Sequence, residues 1–424
     1  MGPAGMTATA EAEIVVSIFS MIWIPAKNYS INSAVWNVSL QPYCFFHMKH
    51  MIVAAAAFAV LSFSSGAQAV PDTCFSSFLF PDSGSVVEGD GMYSVFLGDG
   101  RSIFLMGDSY IGTVSEGKRI SGDHMYRNTY IIYDHERQCP VPLAGACGPE
   151  TSAAVPEGVT DESSRWFWPG HGFTVGDRLY VFQQLMYSGS GPQGWNFHYD
   201  RTYILQYALP DISLDPVRRA PVPYDRLCTG EPSSENPHVH FGAAALNDID
   251  SSGYLYIYAQ VDIINGFDPV TDVYIARTVE EKLFSEWEYF DGEGWSVRSE
   301  DAAAMQGLSE VAVSSQFNVF RLDGKYVLLT QDKSWNSGKI YTFISDTPCG
   351  PWSGKTLVYR IPDLADSDWY TYNAMAHPQF GNDGRILVSY NVNSNDFSDQ
   401  KSDVESYRPR FIWVDKKLIL GLSR

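Results

Sequence analysis

Basic residues are scarce in this chain of 424 residues: 29 Lys and Arg stand against 49 Asp and Glu, for a formal net charge of -20. Clustered Lys and Arg are what hold a phosphate backbone or an anionic lipid surface, so nucleic acid is not an expected partner. A neutral or cationic ligand is left open. Cysteine is sparse as well, at 6 residues, and no Cys-x-x-Cys or His–Cys cluster suggests zinc; no metal or other cofactor is expected. No long segment carries apolar residues at helical spacing, so helices should be few and short. Between residues 70 and 424 there is also no Pro/Ser-rich linker and no low-complexity tract, which argues for a single domain.

The N-terminus reads differently. Met48-Lys49-His50 precedes an apolar run from Met51 to Phe63, followed by Ala67-Gln68-Ala69. A short basic region, an apolar core and an Ala-x-Ala site make a secretory signal over residues 48–69. The run is too short to span a bilayer comfortably, and no integral membrane association is expected. Residues 1–47 hold a separate apolar run, Ile14 to Ile24, and no repeat unit; they are expected to come from an upstream start. Export to the periplasm or the exterior permits disulfides, and Cys139 and Cys147, which flank one short loop, are the expected pair.

What the chain does contain is a repeat. Tight turns at Gly98-Asp99-Gly100, Gly176-Asp177, Asp250-Ser251-Ser252-Gly253, Asp323-Gly324 and Asp383-Gly384 each lead into an apolar strand, Ile103–Met106, Leu179–Phe182, Tyr254–Tyr258, Tyr326–Leu329 and Ile386–Val388. The last glycines of the five turns fall 76, 77, 71 and 60 residues apart. Third strands follow at Asn128–Tyr133, Thr202–Tyr207, Val273–Ala276, Ile340–Ile344 and Arg410–Val414, and fourth strands at Trp287–Phe290 and Leu357–Tyr359. Tyr, Phe, Val and Ile pack well on pleated surfaces. An all-β fold of five units with about four strands each is a five-bladed β-propeller over residues 70–424, with radial repetition protecting the sheet edges.

In a propeller the first strand of each blade lies nearest the axis, so the residues ahead of it line the mouth. Here they are Glu88-Gly89-Asp90, Pro169-Gly170-His171, His238-Val239-His240, Ser314-Ser315-Gln316 and Ala376-His377-Pro378, and each is polar. The second strands end in polar tips: Asp108, Gln183-Gln184, Gln260, Gln331-Asp332 and Asn391. Asp90 and Asp108 reach the same end of one blade, and two carboxylates at a sugar-sized pocket are what glycoside hydrolysis requires. Turn capping is the competing role for Asp108. Glu310, Asp332, Glu235 and Asp200 are competing carboxylates. His171, His240 and His377, Trp168, Gln316, Asp332 and Asn391 are candidate substrate contacts, the histidines because imidazole titrates near neutrality and the tryptophan because a flat ring suits the apolar face of a sugar. Trp166, Trp195, Trp335 and Trp369 also fall between strands, where packing between blades competes with binding.

Taken in order, Asp90 with Gly107-Asp108-Ser109, Trp168-Pro169-Gly170-His171-Gly172, Val313–Phe317, Tyr372–Pro378, Leu387–Asn393 and Tyr407-Arg408-Pro409-Arg410-Phe411 resemble the bacterial domain-of-unknown-function 4185 group, over nearly all of Val70 to Asp415. The resemblance implies a five-bladed propeller akin to arabinanase and invertase-type glycosidases. Some members of the group are endo-D-arabinanases, and its first-blade acidic pair maps onto Asp90 and Asp108. His171 departs from the Asp expected in the Trp-Pro-Gly-Asp-Gly pattern.

The expected function is therefore a secreted glycoside hydrolase on a furanose-containing polysaccharide. A carbohydrate-binding propeller without turnover is the alternative, and a surface adhesion or scaffold protein the weaker third. N-terminal sequencing of the exported protein should read Val70 as its first residue; a start upstream of Val70 would overturn the assignment of the leader.

Overall fold

The turn residues account for the hairpins directly. Asp323 and Gly324 have φ of 48° and 82°, and Asp383 and Gly384 have 38° and 81°. Two successive positive φ values match the twist of the flanking strands and favour Asp-Gly. In the computed structural model, which describes residues 68–72, 74–190, 196–224, 238–265, 268–334, 337–362 and 368–422, every one of the five predicted units becomes an antiparallel sheet. Residues 1–47, the leader up to residue 67, and Trp195, Cys228, Glu235 and Trp335 lie outside the described residues.

The first unit pairs Tyr93–Phe96, Arg101–Met106, Thr129–Asp134 and Cys139–Leu143 in that order. The second pairs Arg165–Val175, Arg178–Ser188, Phe197–Ala208 and Arg218–Pro221. The third runs His238–Asp248, Tyr254–Asn265, Asp268–Thr278, Glu288–Phe290 and Trp295–Ser296, and the fourth Asn318–Leu322, Lys325–Gln331, Lys339–Ser345 and Ser353–Arg360. The fifth runs Trp369–Asn382, Arg385–Ser394 and Arg410–Asp415, and takes its outer strand, Ala69–Asp72, from the other end of the chain. The first strands touch in ring order: Tyr93–Phe96 packs on Arg165–Val175, that on His238–Asp248, that on Asn318–Leu322, that on Trp369–Asn382, which returns to Tyr93–Phe96. Helices among the described residues are short, the longest being Cys74–Leu79.

The core lies between sheets, and the period-2 alternation of a strand decides which gap each residue fills. In Tyr254–Asn265, Leu255, Ile257 and Ala259 pack with Phe182 and Ile204 of the second unit. Tyr256 and Tyr258 point the other way and pack with Leu328 and Phe343 of the fourth. Val327 and Leu329 in turn face Ile386, Val388 and Ile412 of the fifth. Because both faces are covered, these second strands read as continuous apolar runs rather than as alternating ones.

Two features were not read from the sequence. One is the N-terminal outer strand of the fifth sheet. The other is a small additional sheet, in which Ser83–Gly89 pairs with Ser109–Ser115, itself paired with Lys118–Ser121 and Met125–Tyr126. The expected Cys139–Cys147 disulfide is absent: both are exposed free thiols, Cys139 at the start of the outer strand of the first sheet and Cys147 in a turn whose N–H donates to Thr151 Oγ1 at 3.0 Å.

Leu328 is fully buried between the third and fourth sheets. Leu328→Ala should cost about 2–5 kcal/mol, read as a lowered midpoint with an unchanged slope in urea unfolding.

Candidate active site

Asp90 and Asp108 sit at the junction where one long hairpin passes from the small sheet into the first unit. Gly89 pairs with Ser109 in the small sheet and Tyr93 with Leu105 in the first unit. Between them the backbone is joined by two hydrogen bonds, Asp90 N–H to Asp108 O at 3.0 Å and Gly107 N–H to Asp90 O at 2.7 Å. Glycine is required here by close approach. A Cβ on Gly89 would lie 2.5 Å from Ser109 Cβ, and one on Gly107 would lie 2.6 Å from Asp90 Oδ1. The local sequence Gly-Asp-Gly opposite Gly-Asp-Ser thus brings two aspartates to adjacent backbone positions.

Their surroundings differ. Asp90 Oδ2 accepts from the Tyr372 hydroxyl at 2.7 Å. Tyr370, stacked on Tyr372 at 5.5 Å between ring centroids, adds a second phenol from the same strand. Desolvation, reinforced by the neighbouring Asp108 charge, pushes the Asp90 carboxyl up to about 7. Asp108 accepts at Oδ1 from Trp168 Nε1–H at 2.8 Å, and its Oδ2 lies 3.4 Å from Arg127 Nη1. Burial raises its pKa too, but the Arg127 guanidinium and the indole N–H oppose the rise by favouring the carboxylate. Tyr407 donates to the Asp108 carbonyl at 3.0 Å and so braces the junction from the segment before the last strand.

An aromatic wall continues from Trp168, with Phe197 edge-on at 4.7 Å and Trp166 at 5.7 Å, and Arg127 stacks over Trp166 at 4.2 Å. Gln316 approaches the residue after Asp90: a Cβ on Gly91 would be 3.7 Å from its Nε2. Asn391 stands directly across the strand pair from Tyr372, fully buried, and neither atom of its amide has a hydrogen-bond partner. Of the residues singled out in the sequence, Asp90, Asp108, Trp168, Gln316 and Asn391 are thus brought to one place.

His171 and His377 are held elsewhere, while His240 stacks on Tyr199, a ring packed with Trp166, Trp168 and Phe197. His171 is enclosed beside Tyr93, with Nδ1 at 2.8 Å from the Ala245 carbonyl; burial depresses its pKa to about 4. His377 is fully buried between the hydroxyls of Ser94 and Ser389, at 2.7 and 2.9 Å, and burial beside His171 depresses it to about 3. Both are neutral interior groups linking sheets, which corrects the expectation that they face a substrate. His240 is buried and stacked on Tyr199 at 3.8 Å. Asp332 accepts from Ser334 N–H at 3.1 Å and caps its own turn, Glu310 pairs with Lys355 at the surface, and Asp200 pairs with Arg165 at 2.6 Å.

Sequence reasoning passed over Tyr370, Tyr372, Tyr407 and Arg127. Tyr372 and Tyr407 stood within motifs already singled out; nothing local marks Arg127, which lies between two short strands. Among the described residues no group of three or more His, Cys, Asp or Glu side chains could hold a metal ion, and no helix is long and apolar enough to cross a membrane.

Comparison with known proteins places this geometry in context. No curated protein matches the chain. A candidate hydrolase from Bacteroides ovatus has a similar solved structure, with a TM-score of 0.65 at 19% identity over 83% of this chain and 92% of that one. A GH43_1 enzyme from Xanthomonas citri gives 0.44 at 13% identity, covering 82% and 91% of the two chains. An exo-1,5-alpha-L-arabinanase from a bovine ruminal metagenomic library gives 0.41 at 9%, covering 79% and 95%. The sequence profile that matches is not that of the 4185 group: residues 72–416 match the domain of unknown function DUF5005, and the chain belongs to that family.

Proposed function

We propose that this protein is a secreted glycoside hydrolase with a five-bladed propeller fold, cleaving a neutral, furanose-containing polysaccharide of arabinan type at Asp90 and Asp108. The observation that carries the reading is the unequal environment of two adjacent carboxyls. Groups whose surroundings drive their pKa values apart can divide acid and base work between them. Asp90, desolvated among neutral phenols and pushed up to about 7, still carries a proton on roughly half of the molecules at neutral pH and is the general acid. Asp108 takes the carboxylate's role, since the guanidinium and the indole N–H favour its ionised form against the rise that burial causes.

In the proposed reaction the Asp90 proton passes to the glycosidic oxygen as the bond from that oxygen to the anomeric carbon breaks, and the bonding electrons leave with the oxygen. Asp108 either takes a proton from the attacking water or bonds to the anomeric carbon itself, according to the separation of the carboxyls across a bound sugar. The half-buried Trp168 and Phe197 offer a flat face to the sugar ring, and the unpartnered Asn391 amide, across the strand pair from Tyr372, and Gln316, near Gly91, are polar groups for substrate. The fold shared with the Bacteroides ovatus candidate hydrolase supports a hydrolytic reading, and the arabinan choice rests on the motif resemblance in the sequence alone, which the family match does not carry. The negative net charge suits a neutral glycan.

The protein from Val70 onward, screened against arabinans, galactans and fructans, should release oligosaccharides from one of them. Asp108→Asn should fold normally and lower that turnover about 10²–10⁴-fold; unchanged turnover would refute the role, and glycan binding without release in the unmutated protein would make it a binding propeller. The pH–rate profile should be a bell with its alkaline limb near 7, where Asp90 loses its proton. Removing the Tyr372 hydroxyl takes a donor from the Asp90 carboxylate, so Tyr372→Phe should move the alkaline limb to higher pH. Removing the cation beside Asp108 disfavours its ionised form, so Arg127→Gln should raise the acid limb by about 1 unit.

A further inference from the structure

A cavity of about 460 Å³ lies at the outer part of the fifth sheet, where the proposed chemistry makes no use of it. Sites for small molecules occupy roughly 300–1,000 Å³, which leaves room here for a sugar. Its wall combines Asp72 from the N-terminal outer strand, Tyr359 from the outer strand of the fourth sheet, Tyr390 from the second strand of the fifth, and Glu405, Arg408 and Arg410. The two arginines belong to the Tyr407–Phe411 motif that stood out in the sequence. Arg410 is opposite Tyr390 in the strand pair, and Tyr390 precedes Asn391, so the cavity lies near the end of the sheet that carries Tyr372. It lies on the other face. Tyr372 reaches Asp90, whereas Trp369, out of phase with it along the strand, lies under the Arg410 guanidinium at 5.8 Å.

Two features of this lining point to a ligand. The first is unmet donors. Arg410 Nε and Arg408 Nη2 are buried without a hydrogen-bond acceptor among the described residues, and Asp82 stands 3.6 Å from Arg408 Nη2, too far for a hydrogen bond. Buried polar groups are nearly always satisfied, so these two ask for an acceptor that the chain does not supply. The second is the mixture of charge and ring. Glu405 accepts from Arg408 Nη1 at 3.2 Å and from Arg410 Nη1, and its carbonyl accepts from Arg410 Nη2 at 3.1 Å, so both guanidiniums are held in place. Glu405 and Asp72 balance Arg408 and Arg410, which leaves no excess of either sign to hold an ion. The Tyr359 and Tyr390 rings lie 6.1 Å apart, and Tyr359 is only half-buried. A neutral molecule rich in hydroxyls and with one apolar face matches such a wall, since hydroxyls both donate and accept and a ring packs on the apolar face. We propose that this cavity is a second carbohydrate site, which holds a neutral sugar residue and takes no part in bond breaking. The inference rests on the proposed function for the class of its ligand. Held there, one part of a long glycan raises the local concentration of the rest around the protein.

The test is migration in native gels that contain soluble arabinan, galactan, fructan or polygalacturonic acid, with Asp108→Asn as the parent so that no glycan is cut, and with thermal melting to confirm folding. At least one neutral glycan should retard the protein, and the acidic one should retard it less. Adding Tyr359→Ala or Arg410→Gln should each raise the glycan concentration needed for half-retardation about tenfold. Ser77 lines the same cavity from an exposed position on the short helix Cys74–Leu79. Ser77→Trp should fill the cavity and weaken retardation as much without removing an ion pair, which covers an Arg410→Gln protein that does not fold. Unchanged retardation in folded Tyr359→Ala and Ser77→Trp overturns the proposal, as does stronger retardation by the acidic glycan or none by any neutral one. With Asp108 intact, a protein that releases oligosaccharides while these variants leave its retardation unchanged loses the second site and keeps the proposed reaction. One that releases none while its retardation depends on the cavity loses the reaction and keeps the site.

Discussion

Two backbone hydrogen bonds between Asp90 and the Gly107–Asp108 turn hold the candidate active site of this molecule together. They join the hairpin where it leaves the first sheet for the small one, and they put two carboxyls on neighbouring residues of adjacent strands. Everything described around the site acts on that junction. Tyr372 arrives from the fifth sheet, Trp168 from the second, Tyr407 from the segment before the last strand, and Arg127 from the first unit itself. Bare of this frame, two aspartates so placed would repel and diverge; desolvation and hydrogen bonding from four directions hold them and make them unequal.

The ring of sheets supplies the rigidity that such a junction needs. Each sheet buries both faces against its neighbours, so a shift in one blade must be taken up by the next, and close-packed interiors transmit strain rather than absorb it. Interior polar groups serve the same end. The Tyr93 hydroxyl donates to the Ala243 carbonyl at 2.7 Å across the ring, Gln183 donates to Tyr130 at 2.7 Å, and His377 bridges Ser94 and Ser389. Buried polar atoms that are bonded specify one arrangement of the blades, because any slip would leave them unpaired. Seen this way, His171 and His377 are parts of the frame.

The repeat was legible because turn chemistry and strand periodicity are local: Asp-Gly turns need positive φ, and strands buried on both faces need runs of apolar residues. Each of the five second strands and five third strands read from the sequence overlaps an observed strand, but three second strands run six or seven residues further toward their polar ends and two third strands begin five residues earlier. The N-terminal outer strand and the small sheet were missed because each pairs with a partner distant in sequence or sits outside the repeat, Ala69–Asp72 with Arg410–Asp415 and Ser83–Gly89 with Ser109–Ser115. The site followed the same division. Asp90 and Asp108 were legible from register within one hairpin, and Trp168, Gln316 and Asn391 from their place in the repeat. His171 and His377 occupied equivalent places and misled, since position along a strand says which end a residue is near and leaves open whether its ring points to the mouth or into a seam between sheets.

The sequence by itself determined the β architecture, its five-unit grammar and the convergence of one end of every unit, because these depend on patterns within a few tens of residues. Only the tertiary structure decided which polar residues meet. Tyr372 lies 282 residues from Asp90 and Tyr407 lies 299 residues from Asp108, and their hydroxyls reach the junction only because the ring brings the last sheet back to the first. Burial was decided there too. The same carboxyl that would be an ordinary exposed Asp in a Gly-Asp-Gly turn becomes a group near neutrality once the ring excludes water from it, and no local pattern records how much water is excluded.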